Sequence, residues 1–67
     1  MYYFIVNPKA QSGRGAEVWK RIRPVMKKKG LPFEVLFTEY AGHATELARE
    51  AAMRDEENKI IVSMGGD

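Results

Sequence analysis

Three short apolar runs, separated by two segments of helical periodicity, constrain the fold of this chain most strongly. The runs span residues 2–6, 33–37 and 59–64 and are rich in aromatic and β-branched residues. Nearly continuous apolar runs of this length are typical of strands buried on both faces. The order βαβαβ therefore predicts an α/β fold of three layers with a parallel sheet and right-handed crossovers. We expect strand one to lie between strands two and three, although an order with strand two in the middle also allows right-handed crossovers.

The two helices are predicted over residues 16–29 and 43–54. Helical spacing marks the expected inner face of the first, on Val18, Ile22, Val25 and Met26, with Trp19 beside them. Pro24 lies inside this segment and is expected to kink the helix. The second helix carries a stripe of mostly small residues that would let it sit close to the sheet: Ala44, Leu47, Ala48, Ala51 and Ala52.

Length limits the chain to one small domain, and nothing in its composition argues for an oxidising compartment. A chain of 67 residues buries only roughly 60% of the surface that its unfolded form exposes, so its stability would be marginal. It has no cysteine, and it shows neither a signal peptide nor a membrane span, which indicates a cytoplasmic protein. Because the sequence stops directly after the third strand, we expect an amino-terminal piece of a longer protein that self-associates when isolated.

Basic residues are concentrated in one part of a chain whose net charge is only +2. They are Lys20, Arg21, Arg23, Lys27, Lys28 and Lys29. One interpretation is the solvated face of an amphipathic helix, and the other is attraction to anionic lipid headgroups at a membrane surface. Nucleic acid is not expected as a partner, because no aromatic residues alternate with these basic ones on that face.

Polar, glycine-rich loops follow each of the three predicted strands, over residues 7–15, 38–44 and 65–67. The carboxyl ends of parallel strands meet at one edge of a sheet, where ligands bind in open α/β folds. We therefore expect the three loops to converge, and this convergence carries more weight than any one motif.

Each loop contains groups that suit a phosphorylated ligand. In the first, Gly13 and Gly15 would bring backbone amides close to phosphate, Arg14 offers a forked donor, and Ser12 offers a hydroxyl. The loop matches neither the P-loop nor the G-x-G-x-x-G pattern, and a purely structural turn remains the alternative.

The other two loops are similarly open to two interpretations. Thr38 could donate a hydrogen bond to phosphate or simply cap the strand, and His43 is expected to be a capping or packing residue rather than a catalyst. In Gly65-Gly66-Asp67 the glycines could wrap a phosphate, and the carboxylate could share Mg²⁺ with it. A tight turn capped by the aspartate is the alternative.

Taken together, the motifs Asn-Pro-x-x-x-Ser-Gly-x-Gly, Thr followed by Gly-His-Ala, and Gly-Gly-Asp resemble the diacylglycerol kinase catalytic domain family. This family includes sphingosine kinase-like and bacterial lipid kinases, and its nucleotide-binding domain is related to that of NAD kinases. The resemblance spans residues 1–67, which would be the amino-terminal part of the catalytic, ATP-binding domain. In the family the last motif continues as Gly-Gly-Asp-Gly-Thr, and Gln11 stands here where glycine is common.

The resemblance implies transfer of the ATP γ-phosphoryl group to a lipid hydroxyl, with ATP and Mg²⁺ as cofactors. Carried over, the nucleotide-binding positions are Asn7, Pro8, Ser12, Gly13, Arg14, Gly15, Thr38, Gly65, Gly66 and Asp67. Asp67 is also the catalytic and the Mg²⁺-binding candidate. A separate β-rich domain would bind the lipid at the membrane surface, so residues 1–67 alone are expected to be inactive. An NAD kinase-type enzyme and a non-catalytic nucleotide-binding or regulatory module are the alternatives.

Overall fold

The computed structural model describes residues 1–9, 13–55 and 57–64. It contains three strands and two helices in strict alternation: β1 (Tyr2–Val6), α1 (Arg14–Lys28), β2 (Phe33–Phe37), α2 (His43–Ala52) and β3 (Ile60–Met64). The predicted βαβαβ order is confirmed. None of the helices in these three stretches is both long and apolar enough to span a bilayer.

The strands form one parallel sheet in the order β2-β1-β3. Phe4, in the middle of β1, lies opposite Val35 of β2 and Val62 of β3. The prediction that strand one lies in the middle is therefore confirmed. Since β1 is paired along both of its edges, its backbone donors and acceptors are largely satisfied by the neighbouring strands, which permits its complete burial.

One face of the sheet packs against α1. Side chains alternate between the two faces of a strand, and the even-numbered residues of β1 point toward this helix. Phe4 and Val6 form a buried cluster with Trp19 and Met26 of α1 and with Met64 of β3. The Phe4 and Trp19 rings lie 5.0 Å apart between centroids and are tilted, a favourable aromatic arrangement.

The opposite face packs against α2, which completes the three layers. Tyr3 and Ile5 of β1 are almost fully buried on this side, as is Ala51 of α2. Arg54, just after α2, holds its guanidinium 5.1 Å from the centre of the Tyr3 ring and forms an ion pair of 2.6 Å with Glu34 of β2. Hydrogen bonding with Tyr3 is the largest cause of a raised pKa of Arg54, and hydrogen bonding with Glu34 is the second largest.

The inner face of α1 differs from the predicted one. Val18 and Val25 are 38% and 49% exposed, whereas Trp19 and Met26 are buried and Ile22 is partly buried. The helix is thus rotated so that the larger side chains fill the core. It continues through Pro24 to Lys28, because a helix can lose one backbone donor on its solvent side while its other face is anchored.

The remaining differences lie at the ends of elements. Helix α1 begins at Arg14, two residues earlier than predicted, and α2 ends at Ala52, whose side chain is exposed rather than packed. Lys59 is outside β3, and its ammonium group donates to the carbonyl oxygens of Ala52, the last residue of α2, and of Arg54 just after it. The ammonium group thus supplies hydrogen-bond donors to carbonyl groups at the carboxyl end of the helix, where intrahelical donors are lacking.

Close backbone contact fixes the start of α1 against the end of β1. A Cβ added at Gly15 would overlap the carbonyl oxygen of Asn7 and lie 3.2 Å from the carbonyl carbon of the same residue. It would also lie 3.8 Å from the carbonyl oxygen of Met64 at the end of β3. Only glycine allows the helix to approach the backbone of Asn7 this closely, whereas the distance to Met64 is an ordinary van der Waals contact.

We therefore expect Gly15→Ala to destabilise the full-length protein by about 3 kcal/mol or more, because backbone atoms must move to admit the methyl group. In an unobstructed helix the same substitution would stabilise by roughly 1 kcal/mol. Gly30→Ala is the matched control. It meets no atom within 4 Å and carries only the strain of φ +66°, about 1 kcal/mol. Equilibrium denaturation measures both, and a Gly15→Ala variant as stable as the parent would contradict the packing.

Strand β3 leaves one edge unpaired within the described residues, with Ile60 and Ile61 exposed beside it. An unpaired edge flanked by exposed apolar side chains promotes pairing between chains. We expect isolated residues 1–67 to self-associate in sedimentation velocity, and the double substitution of Ile60 and Ile61 to lysine to reduce that association. A monomeric parent with a cooperative, high melting temperature would contradict this expectation.

Candidate nucleotide site

The carboxyl ends of the three strands are joined by backbone hydrogen bonds. The Asn7 amide donates to the Met64 carbonyl at 3.1 Å, and the Thr38 amide donates to the Val6 carbonyl at 2.9 Å. The pairing therefore extends one residue beyond β1 on one side and one residue beyond β2 on the other. These bonds fix the points at which the loops leave the sheet.

The loops after β1 and β2 enclose a cavity of about 260 Å³ at this edge. Its described lining residues are Asn7, Lys9, Thr38, Glu39, Tyr40, Ala41, Gly42 and Ala44. The predicted convergence is confirmed for these two loops. Residues 65–67, the third loop, lie outside the described residues, although β3 delivers Met64 to within hydrogen-bonding distance of Asn7.

Asn7 shapes the first wall of the cavity. Its side-chain Oδ1 accepts a hydrogen bond of 3.1 Å from the Lys9 amide, an Asx-type turn that bends the chain sharply after β1. The turn directs residues 7–9 along the rim, where the exposed Lys9 joins the lining. An ammonium group therefore stands at one side of the cavity.

His43 organises the second wall. Its Nδ1 accepts a hydrogen bond of 2.9 Å from the Glu39 amide, while its own amide donates to the Tyr40 carbonyl at 3.1 Å. The imidazole also stacks on the Tyr40 ring, with 4.3 Å between centroids and 10° between planes. The expected structural role of His43 is confirmed, because it closes the loop rather than lining the cavity.

The sequence-predicted site residues fall into three groups in the structure. Asn7 and Thr38 line the same cavity. Pro8, Gly13, Arg14 and Gly15 are not among its lining residues, since α1 has already begun at Arg14 and Gly15 is packed against the backbone of Asn7. Ser12, Gly65, Gly66 and Asp67 lie outside the described residues.

Of the described lining residues, only Asn7 and Thr38 were among the predicted binding positions, and the two most informative additions are Lys9 and Tyr40. Lys9 is two residues beyond Asn7 and could have been found from the Asx-turn potential of the Asn-Pro-Lys sequence. Tyr40 precedes His43 by three residues, a spacing whose stacking depends on the loop conformation and is not evident from sequence. Their addition gives the cavity one cation and one exposed aromatic ring.

The described residues contain no group of three or more His, Cys, Asp or Glu side chains arranged to hold a metal ion. The one predicted metal ligand, Asp67, is outside them. The metal assignment therefore rests on sequence resemblance alone.

The whole of residues 1–67 matches the family model of the diacylglycerol kinase catalytic domain. The chain belongs to this family. Its sequence is also 34% identical, over 67 residues, to the Bacillus subtilis (strain 168) protein named "Putative lipid kinase YtlR". That match covers 98% of this chain but only 22% of the relative, so the chain spans about a fifth of the relative's length. No solved structure matches the chain significantly.

Membership in the diacylglycerol kinase catalytic domain family agrees with the fold. The three-stranded parallel sheet with a helix on each face is consistent with the amino-terminal part of a diacylglycerol kinase or NAD kinase-like domain. The family is one of lipid kinases, which gives the cavity at the carboxyl edge of the sheet a chemical context.

Proposed function

We propose that the full-length protein is an ATP-dependent lipid kinase and that the cavity between the loops after β1 and β2 belongs to its nucleotide site. The observation that carries the proposal is the meeting of these two loops, at the ligand-binding edge of an α/β sheet, in a chain of the diacylglycerol kinase catalytic domain family. The lipid hydroxyl would be that of a diacylglycerol-like or sphingoid substrate.

The cavity is suited to part of a nucleotide rather than to a whole one. Its volume of about 260 Å³ is slightly below the roughly 300–1,000 Å³ of sites that enclose drug-sized ligands. Lys9 offers positive charge, and the Thr38 hydroxyl can donate to a phosphate oxygen. Glu39 on the same rim would repel phosphate, which favours placing the phosphates nearer Lys9.

Phosphoryl transfer requires mainly positioning and charge neutralisation. The lipid hydroxyl oxygen forms a bond to the γ-phosphorus, the bond from that phosphorus to the bridging oxygen breaks, ADP leaves, and the hydroxyl proton is lost to a base. In this proposal Asn7 shapes the first wall, Lys9 and Thr38 bind phosphate oxygens, and α1 presents its amino-terminus after Gly13.

Mg²⁺, when bound, would offset the negative charge of the phosphates, and Asp67 is its proposed ligand. Ser12, Arg14, Gly65 and Gly66 are further proposed nucleotide-binding residues, on the strength of the family motifs. Among these, Arg14 is described, and it is exposed in the first turn of α1.

We also propose that residues 1–67 form the amino-terminal part of the catalytic domain and are inactive alone, with the lipid bound by a second, β-rich domain. The proposed location is the cytoplasmic side of a membrane, to which the protein binds peripherally. All six basic side chains between residues 20 and 29 are exposed. Each could contribute about 1 kcal/mol of attraction to an anionic lipid surface.

An NAD kinase-type reaction is the second candidate, because the sheet is consistent with that related fold. A non-catalytic nucleotide-binding module is the third. A transfer assay and a measurement of ATP binding together separate all three candidates. The assay follows phosphoryl transfer from labelled ATP by the full-length protein, offered diacylglycerol in anionic or neutral vesicles, a sphingoid base, or NAD.

We expect transfer to a lipid, faster on anionic than on neutral vesicles, and a fall of at least about 100-fold for Asp67→Asn. This loss corresponds to roughly 2.7 kcal/mol of transition-state stabilisation. Asp55→Asn is the matched control. Asp55 is exposed in the turn before β3, at the opposite edge of the sheet, and its substitution should leave the rate unchanged.

Transfer to NAD alone would replace the lipid kinase proposal with the NAD kinase one, and ATP binding without transfer would favour the non-catalytic module. Near-normal activity of Asp67→Asn, at ATP and Mg²⁺ below saturation, would remove the metal role and leave the tight-turn interpretation of Gly65-Gly66-Asp67.

A further inference from the structure

Two chemically different sets of residues line the cavity. The first set brings polar and charged groups: Asn7, Lys9, Thr38 and Glu39. The second set is Tyr40 with three small residues, Ala41, Gly42 and Ala44. Small residues leave room for a ligand beside an aromatic ring, so this second set is suited to a flat, largely apolar group.

Tyr40 is unusual among the aromatic residues of the chain because it is 54% exposed while lining a cavity. Stacking on His43 occupies one face of its ring, with the two planes only 10° apart. The imidazole covers only that one face, so the other face of the ring is not used by this stacking. An aromatic face left open to a cavity can stack on another planar ring.

The position of this ring is fixed before any ligand arrives. The Tyr40 hydroxyl donates a hydrogen bond to Glu46 Oε2, one turn into α2. That bond is the main cause of a raised pKa of Tyr40. Together with the hydrogen bonds that the His43 Nδ1 accepts from the Glu39 amide and that the His43 amide donates to the Tyr40 carbonyl, it ties the loop to α2. A ring ordered in this way loses little freedom on binding.

We propose that Tyr40 is the stacking platform for the adenine base of the nucleotide, with His43 and Glu46 as the residues that position it. The inference rests on the proposed nucleotide site and extends it by stating which lining residues contact the base and which contact the phosphates. The base lies against Tyr40 beside Ala41 and Gly42, and the phosphates extend toward Lys9 and Thr38. Stacking of this kind recognises the flat face of a base and contributes little to binding of phosphate alone.

The test compares two probes, ATP and inorganic tripolyphosphate, by isothermal titration calorimetry on the full-length protein. Tyr40→Ala and Tyr40→Leu remove the aromatic face, and the second keeps apolar volume if the first disturbs the loop. We expect each to weaken ATP about tenfold while changing tripolyphosphate affinity less than about twofold. Tyr40→Phe, which loses only the bond to Glu46, should stay within about threefold of the parent for ATP.

Met53→Ala is the control for loss of an exposed, large side chain, because Met53 is 79% exposed and is not among the lining residues. It should bind both probes as the parent does. Unchanged ATP affinity in both Tyr40→Ala and Tyr40→Leu would overturn the platform and leave the nucleotide site standing. Equal weakening of both probes would overturn it as well, since Tyr40 would then only maintain the loop. A parent protein that binds no ATP would refute the proposed function itself.

Discussion

Strand β1 is the element on which the rest of the structure depends. It is paired along both edges, covered by α1 on one face and by α2 on the other, and buried from Tyr3 to Val6. A strand in this position can be stable only if its side chains are apolar throughout and its backbone bonds are satisfied by neighbours. The point at which β1 ends is therefore fixed, and with it the position of Asn7.

The candidate site follows from that fixed end. Gly15 brings α1 against the backbone of Asn7, and the amides of Asn7 and Thr38 extend the pairing past the last strand residues. The two loops that leave from these points bound the cavity, one stiffened by the Asn7 turn and the other by His43. Packing at the strand ends thus fixes the positions of the two loops, and phosphoryl transfer, the proposed reaction, requires mainly such positioning.

Sequence patterns were sufficient for the order of elements and the parallel sheet, because apolar runs and crossover rules determine these. The crossover rules left two strand orders open, and the expected meeting of the loops after strands one and three favoured the central place of β1 that the structure shows. Sequence patterns were insufficient to predict which face of α1 packs against the sheet. Val18 and Val25 have the same helical spacing as Ile22, but the larger Trp19 and Met26 are buried in their place. Motif reasoning selected Asn7 and Thr38, which do line the cavity, yet it could not find Tyr40. The place of that ring depends on local contacts with His43 and Glu46, which form only once the loop before α2 has its observed conformation.

Amide NMR tests most directly whether the loops after β1 and β2 form a nucleotide site at the carboxyl edge of the sheet. The full-length protein would be titrated with a non-hydrolysable ATP analogue. We expect saturable shifts for the amides of Lys9, Thr38, Glu39 and Gly42, with Asp55 and Glu57 at the opposite edge unaffected. Saturable shifts confined to the opposite edge or to the exposed basic residues of α1, with the cavity amides unchanged, would contradict the proposed site.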